Sequence, residues 1–256
     1  MPTYRIDLAY DGTGFHGYAR QNNVRTVQGD LETALFRITG DVKTIVAGRT
    51  DGGVHAVGQV VSFSVDAPLD TRRLQRSLNG QLGPEIAVSG VAEVGGDFHA
   101  RFSATGRRYR YRIWNRPVLD PLTARTTWHI PEPLDVGAMD GTVGWFVGVH
   151  DFASLCRKAP GRTTVREVLD ARWIRSGDIV ELSISAVAFC HQMVRSIVTV
   201  SVDAGKGRSR PEDVPVILAA RSRDVVRGLA PPHGLTLMAV TYDEAEPGTV
   251  PSWVVL

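Results

Sequence analysis

The sequence predicts an α+β fold built from two similar units, and three observations carry that prediction. Several stretches alternate apolar and polar residues with the period of a half-buried strand, beginning with Tyr4, Ile6, Leu8 and Tyr10. Between them lie stretches with apolar residues at helical spacing, such as Val27, Leu31 and Leu35. The alternation of strand and helix over the first 94 residues then recurs loosely after residue 104. Strands separated by helices in two halves fit mainly antiparallel sheets flanked by helices. No sequence identity joins the halves, so the repeat is one of pattern.

The first strand, 4–10, leads into a glycine-rich polar loop over 11–23. Thr26 can cap a helix whose inward face is Val27, Leu31, Leu35 and Ile38, and Gly40 ends it. The apolar run 42–47 reads as a buried strand, and 59–65 reads as another with Val61, Phe63 and Val65 on one face. Asp70 can cap a helix with Leu74 and Leu78 inward, and a strand over 86–94 closes the first unit. In the second half, 107–114 is a strand with Tyr109, Tyr111 and Ile113 on one face and arginines on the other. A helix is expected over 134–147, strands over 165–174 and 179–188, and a helix over 191–203 with Met193, Val194, Ile197 and Val200 inward. A short helix over 212–221 and a strand over 235–242 complete the pattern. The resulting units are 1–103 and 104–245, with a tail over 246–256 that holds two prolines.

Composition narrows the function classes. Apolar content of 43% and charged content of 22% are ordinary for a globular chain of 256 residues. No run approaches the ~20 apolar residues that span a bilayer, and the N-terminus alternates like a strand rather than a signal peptide. A cytoplasmic protein is expected. Cys156 and Cys190 have no CxxC spacing, which predicts buried reduced thiols with neither a disulfide framework nor a zinc site. The histidines show no metal-ligand spacing either. Net charge is only +2, so there is no global basic field. Lys43, Lys158 and Lys206 are the only lysines, and the other basic side chains are arginine. A GC-rich genome accounts for most of that bias. Local clustering is a separate matter: Arg107, Arg108, Arg110, Arg112 and Arg116 interleave with Tyr109, Tyr111 and Trp114. Guanidinium groups pair with phosphate and aromatic rings stack on bases, so this stretch points to single-stranded or loop RNA.

Residues 46–60, VAGRTDGGVHAVGQV, are the most informative run in the chain. An acid, Asp51, sits on a tight turn between two strands, flanked by Gly48, Gly52 and Gly53, which let backbone and ligand approach closely. Arg49 stands two residues before the acid; in an extended segment the two share a face, and a neighbouring cation keeps a carboxylate ionised. An ionised Asp in such a loop is suited to act as nucleophile or base. A bare RTDG tetrapeptide would more often be a solvated surface turn.

The longer run GRTDGGVHAVGQVVSF resembles the active-site motif of the tRNA pseudouridine synthase A family, whose usual form has Ala where this chain has Gly53. Four further segments match in order: YDGTGFHGYARQNNVRTVQGDLE, with Gly17-Tyr18-Ala19 where a Trp-Gln type sequence is more common, then DFHARFSATGRRYRYRIWN, FCHQMVRSIV and HGLTLMAVTY. The resemblance implies a pseudouridine synthase-like α+β fold, with two units joined through one sheet, a basic active cleft between them, and a homodimer. It implies isomerisation of uridine to pseudouridine in the anticodon arm of tRNA. That reaction breaks the bond from ribose C1′ to uracil N1, turns the base, and bonds C5 to C1′. It needs no cofactor and no metal, in keeping with a sequence that has no dinucleotide loop, P-loop or metal cluster.

Site residues carry over by motif. Asp51 is the catalytic carboxylate. Tyr109, the first Tyr of Tyr-Arg-Tyr, is the ring that stacks on uracil, while Tyr111 reads as core. Arg195 in HQMVR pairs with Asp51, which leaves Arg49 to fill the place of the everted base. Arg20, Arg25, Arg107, Arg108 and Arg110 are candidates for gripping phosphates. His55, Gln59, His99 and His191 lie in the same motifs, and three of the four read as structural. Two alternatives come from within RNA biology: a synthase of this family acting on another RNA position, or an RNA-binding module without catalysis. A phosphotransferase built on Asp11-Gly12-Thr13 would need an acid at position 9, which is Ala9.

Overall fold

A computed structural model describes residues 1–158 and 161–243. In chain order the elements are β1 (Thr3–Tyr10), α1 (Val27–Thr39), β2 (Ile45–Val46), β3 (His55–Ser64), α2 (Thr71–Leu82), β4 (Ile86–Val94), β5 (Ala104–Trp114), β6 (Trp128–His129), α3 (Val136–Gly144), β7 (Gly148–Asp151), β8 (Val165–Ser176), β9 (Ile179–Ala186), α4 (Met193–Gly205), α5 (Val214–Ala220) and β10 (Leu235–Tyr242). The chain divides into two compact units. One is Met1–Gly106 with the segment from Thr236 onward, and the other is Arg107–Leu235. The tail expected over 246–256 lies outside the described residues.

The first unit is a sheet of order β4-β1-β3-β10, with β2 on β3. β1 pairs antiparallel with both β3 and β4. The inward residues of β1 are those the alternation marks: Tyr4, Ile6, Leu8 and Tyr10 are all buried. Tyr4 lies opposite Phe63 on β3 and stacks on it at 5.6 Å. Helices α1 and α2 begin where their caps predict: Thr26 accepts from the Gly29 amide and Asp70 from the Arg73 amide. They bury Leu31 and Leu35, and Leu74, Leu78 and Leu82. Each fully buried leucine of this kind stabilises the fold by about 1.5–3 kcal/mol.

Three sequence expectations change here. The strand expected over 42–47 shrinks to two residues, because α1 side chains take the backbone that a neighbouring strand would need: Glu32 accepts from the Thr44 amide and hydroxyl, and Gln28 donates to the Thr44 carbonyl. Ile38 is partly exposed, and Ala34 is buried in the helix face instead. The last strand, read as part of the second unit, belongs to the first: Thr236 and Leu237 pair in parallel with His55 and Ala56 of β3. Local pattern fixes that a segment is a strand but not which edge it joins.

The second unit has the order β5-β9-β8-β7, antiparallel throughout, with the short β6 parallel to β5. Tyr109, Tyr111 and Ile113 face the core and Arg108 faces solvent, as the alternation predicts. Helix α4 is buried along nearly its whole length, Met193, Val194, Ile197 and Val200 included. The helix expected over 212–221 starts two residues late as α5, behind a 3-10 turn over Pro211–Asp213. Pro215 lacks an amide proton and fits only the first turn of a helix, so the helix can begin only there. Cys156 and Cys190 are joined in a disulfide with a Cα–Cα separation of 5.8 Å. The expectation of separate thiols rested on their distance in sequence, which says nothing about the path of the chain between them.

Candidate active site

Asp51 lies half-buried in the loop between β2 and β3. The loop is a turn, closed by the Val54 amide donating to the Asp51 carbonyl at 3.1 Å. Arg49 is exposed, in a stretch over 47–54 that belongs to no strand. Gly53 has φ +77°, the left-handed region in which a Cβ costs about 1–2 kcal/mol. Glycine at this position, where the family's usual residue is Ala, therefore suits the turn rather than loosening it.

The glycine-rich segment after β1 clasps this loop from one side. The Tyr18 amide donates to the Thr50 carbonyl at 3.0 Å and the Gly53 amide to the Phe15 carbonyl at 3.3 Å. Close approach is the reason for Gly12: a Cβ there would lie 2.1 Å from the Val54 carbonyl oxygen. The Gly12 amide donates to His55 Nδ1 at 3.1 Å, and the Asp11 carboxylate lies 3.1 Å from the same nitrogen. Asp11 also accepts from the amide and hydroxyl of Thr13. Both groups serve to shape the loop.

From the other side, two buried side chains hold the residues around the acid. The Gln59 amide nitrogen donates to the Gly48 carbonyl at 2.7 Å and to the Tyr10 hydroxyl at 3.2 Å. Its oxygen accepts from the amides of Gly48 and Val60. The Tyr10 hydroxyl shares a 2.8 Å hydrogen bond with the Thr50 hydroxyl. Burial pushes the Tyr10 phenol up to about 12, so it stays protonated at any physiological pH. Sequence reasoning placed Tyr10 in the core and left Gln59 without a role. The signal was an amide side chain within the apolar stretch of a strand, which must find partners when buried.

In the second unit, Tyr109 sits on β5 opposite Ile184 and meets Phe189 edge-on at 5.2 Å. Its neighbour Tyr111 is fully buried, donates to the Pro231 carbonyl at 2.8 Å, and has its phenol pushed up by burial. Both rings are buried, Tyr111 wholly and Tyr109 with 8% of its surface exposed. Arg195 is half-buried on α4, and its Nε donates to the Ala230 carbonyl at 2.7 Å. The Thr199 hydroxyl, one turn on, accepts from the Ala230 amide at 2.9 Å, so the 230 loop is pinned to the helix that carries Arg195.

The five candidate phosphate-binding arginines separate into two groups. Arg107 is buried, with Nη1 donating to the Val187 carbonyl at 2.9 Å. Arg110 is half-buried and shares Glu181 with Arg112. Arg25 pairs with Asp30 and Glu85 and lies over the Phe15 ring at 4.4 Å. Arg107 and Arg110 are thus engaged inside the fold, while Arg25 is exposed and held by two carboxylates. Arg20 is exposed with one partner, Glu32, and Arg108 is exposed on the outer face of β5.

Comparison with known proteins gives this arrangement a context. The family model described as tRNA pseudouridine synthase matches residues 8–103 and 144–243. The first segment holds Tyr10, Asp51 and Gln59 and the second holds Arg195, while Tyr109 falls between them. A tRNA pseudouridine synthase A of Frankia casuarinae is 45% identical over 242 residues, covering 93% of this chain and 88% of that protein. One of Leifsonia xyli subsp. xyli is 43% identical, over 93% of this chain and 91% of its own length. One of Moorella thermoacetica is 42% identical, over 94% of this chain and 100% of its own length. With matches running through both units and nearly the whole sequence, the chain belongs to the tRNA pseudouridine synthase family.

Proposed function

We propose that this chain isomerises uridine to pseudouridine in the anticodon stem and loop of tRNA, with Asp51 as the catalytic carboxylate. The observation that carries the reading is the setting of Asp51: a half-buried acid on a turn whose flanking residues are tied from two sides, in a member of this family. A pre-set carboxylate avoids reorganisation as the glycosidic bond breaks. The C1′–N1 bond breaks, the base turns, C5 bonds to C1′, and the C5 proton leaves as N1 gains one. Tyr109 is assigned to support the detached uracil, with its hydroxyl helping to move the C5 proton. Its edge-on packing against Phe189 supports that role by fixing the ring plane.

Arg195 is assigned as the ion partner of Asp51 on the strength of the motif it sits in. Arg49, exposed at the loop, is assigned to fill the place of the everted base. Arg20 and Arg108, both exposed, are the arginines of the original set assigned to phosphate, while Arg25, also exposed, is already held by Asp30 and Glu85. A homodimer and a cytoplasmic location complete the reading. No helix among the described residues is long and apolar enough to cross a membrane.

The test is chemical mapping of pseudouridine in tRNA incubated with the purified protein. New pseudouridine confined to the anticodon arm supports the reading. Modification elsewhere favours a synthase of different position, and none at all sinks it. Tyr109→Phe tests the second assignment. Turnover is expected to fall by about 10²-fold with little change in tRNA affinity if the hydroxyl takes part in proton movement. Equal losses in both would leave Tyr109 a stacking role only.

A further inference from the structure

We infer that Tyr10 and Gln59 are positioning residues for Asp51, acting through a buried brace that holds the backbone on the N-terminal side of the acid. The inference rests on the proposed function above for its kinetic consequence, though not for its structural one.

The geometry is specific. Gln59 is fully buried and spends every polar atom on two backbone sites and one side chain. Its amide clamps Gly48 through both carbonyl and amide, like a paired strand residue. It also hands a hydrogen bond to the Tyr10 hydroxyl, which meets the Thr50 hydroxyl. Thr50 immediately precedes Asp51, and Gly48 lies three residues before it. The loop is thus fixed at both positions by groups on β1 and β3, which pair antiparallel with an irregularity between Leu8 and Tyr10. Tyr10 is itself packed against Tyr18, whose amide holds the Thr50 carbonyl.

A simpler use of these side chains would be to satisfy one another in the core. That account does not explain the targets. Each buried polar atom needs a partner, but that requirement does not say which groups must supply it. Here three of the contacts converge on the two residues that determine where Asp51 sits. Loss of the brace leaves the Thr50 hydroxyl and the Gly48 carbonyl to seek other partners. The loop then samples alternatives in which the carboxylate is displaced. Displacement of a catalytic group by about 1 Å costs up to about 10²-fold in rate.

The experiment uses the full-length protein with Tyr10→Phe, Gln59→Leu, Thr50→Val and Thr50→Ser. Hydrogen–deuterium exchange over residues 48–54 is read alongside kcat, KM for tRNA and the melting midpoint. Tyr10→Phe, Gln59→Leu and Thr50→Val are expected to exchange faster in this loop and to lose about tenfold to 10²-fold in kcat, with KM within about twofold. Thr50→Ser keeps the hydroxyl and is expected to recover most of the rate lost in Thr50→Val. Unchanged exchange in the loop of all three variants would overturn the inference. So would a serine variant as slow as the valine one, or rates that simply track the melting midpoint. A wild-type protein that forms no pseudouridine would sink the functional reading alone. Exchange would still decide whether the brace holds the loop.

Discussion

Asp51→Asn is expected to lower pseudouridine formation by at least roughly 10³-fold while tRNA binding and the melting midpoint stay close to wild type. The substitution is nearly isosteric, yet asparagine can neither carry the charge nor take a proton. The loop has ample support besides this side chain: Tyr10 on Thr50, Gln59 on Gly48, and the backbone bonds from Tyr18 to Thr50 and from Gly53 to Phe15. A change confined to the carboxylate therefore acts on chemistry more than on folding. Single-turnover mapping of pseudouridine, a gel-shift titration with tRNA and a thermal melt decide it together. Turnover near the wild-type rate would remove Asp51 from the mechanism. A collapse of the melting midpoint would instead make its role structural.

Gly12→Ala is expected to be the most destabilising single methyl in the neighbourhood of the site. Its Cβ would sit 2.1 Å from the Val54 carbonyl oxygen and 2.6 Å from the carbonyl carbon. Both are backbone atoms of Val54, three residues past Asp51, and they have no rotamer to yield. Overpacking of this kind costs about 1–3 kcal/mol or more, and at roughly 2–4 °C per kcal/mol the midpoint falls by several degrees. Activity should fall further than stability explains, because relief of the clash moves the Asp51 turn. Gly14→Ala is the control, at the far end of the 3-10 turn Gly12–Gly14. Its Cβ would meet only side-chain tips, Glu85 at 3.0 Å and Arg25 at 3.7 Å, and a flexible carboxylate can step aside. If the two variants melt and turn over alike, backbone contact at Gly12 is not what holds the segment after β1 against the catalytic loop.

The legible parts of this protein share one property. The caps at Thr26 and Asp70, the alternation of β1 and β5, the bounds of β4 and β10 and the turn around Asp51 are all set by residues a few positions apart. Propensity, capping and period act over that range, so the sequence displays them directly. The short β2 shows where such reading stops. Its apolar residues look like a strand, but Glu32, 12 residues earlier, takes the Thr44 amide. The late start of α5 was legible in principle from Pro215. The disulfide of Cys156 and Cys190 was not, because no local feature reports that residues 34 apart meet.

The candidate site divides in the same way. Sequence alone determined that Asp51 stands on a glycine-rich turn between strands, that Tyr109 and Tyr111 share the buried face of β5, and that five spaced motifs resemble one family. Only the tertiary structure decided what grips the acid's loop, and which arginines are committed to the fold. Tyr10 reaches Thr50 across 40 residues, and Arg107 reaches the Val187 carbonyl across 80. A hydrogen bond needs its two atoms about 3 Å apart with the donor aimed correctly. That condition depends on where the whole chain travels, and composition or spacing cannot express it.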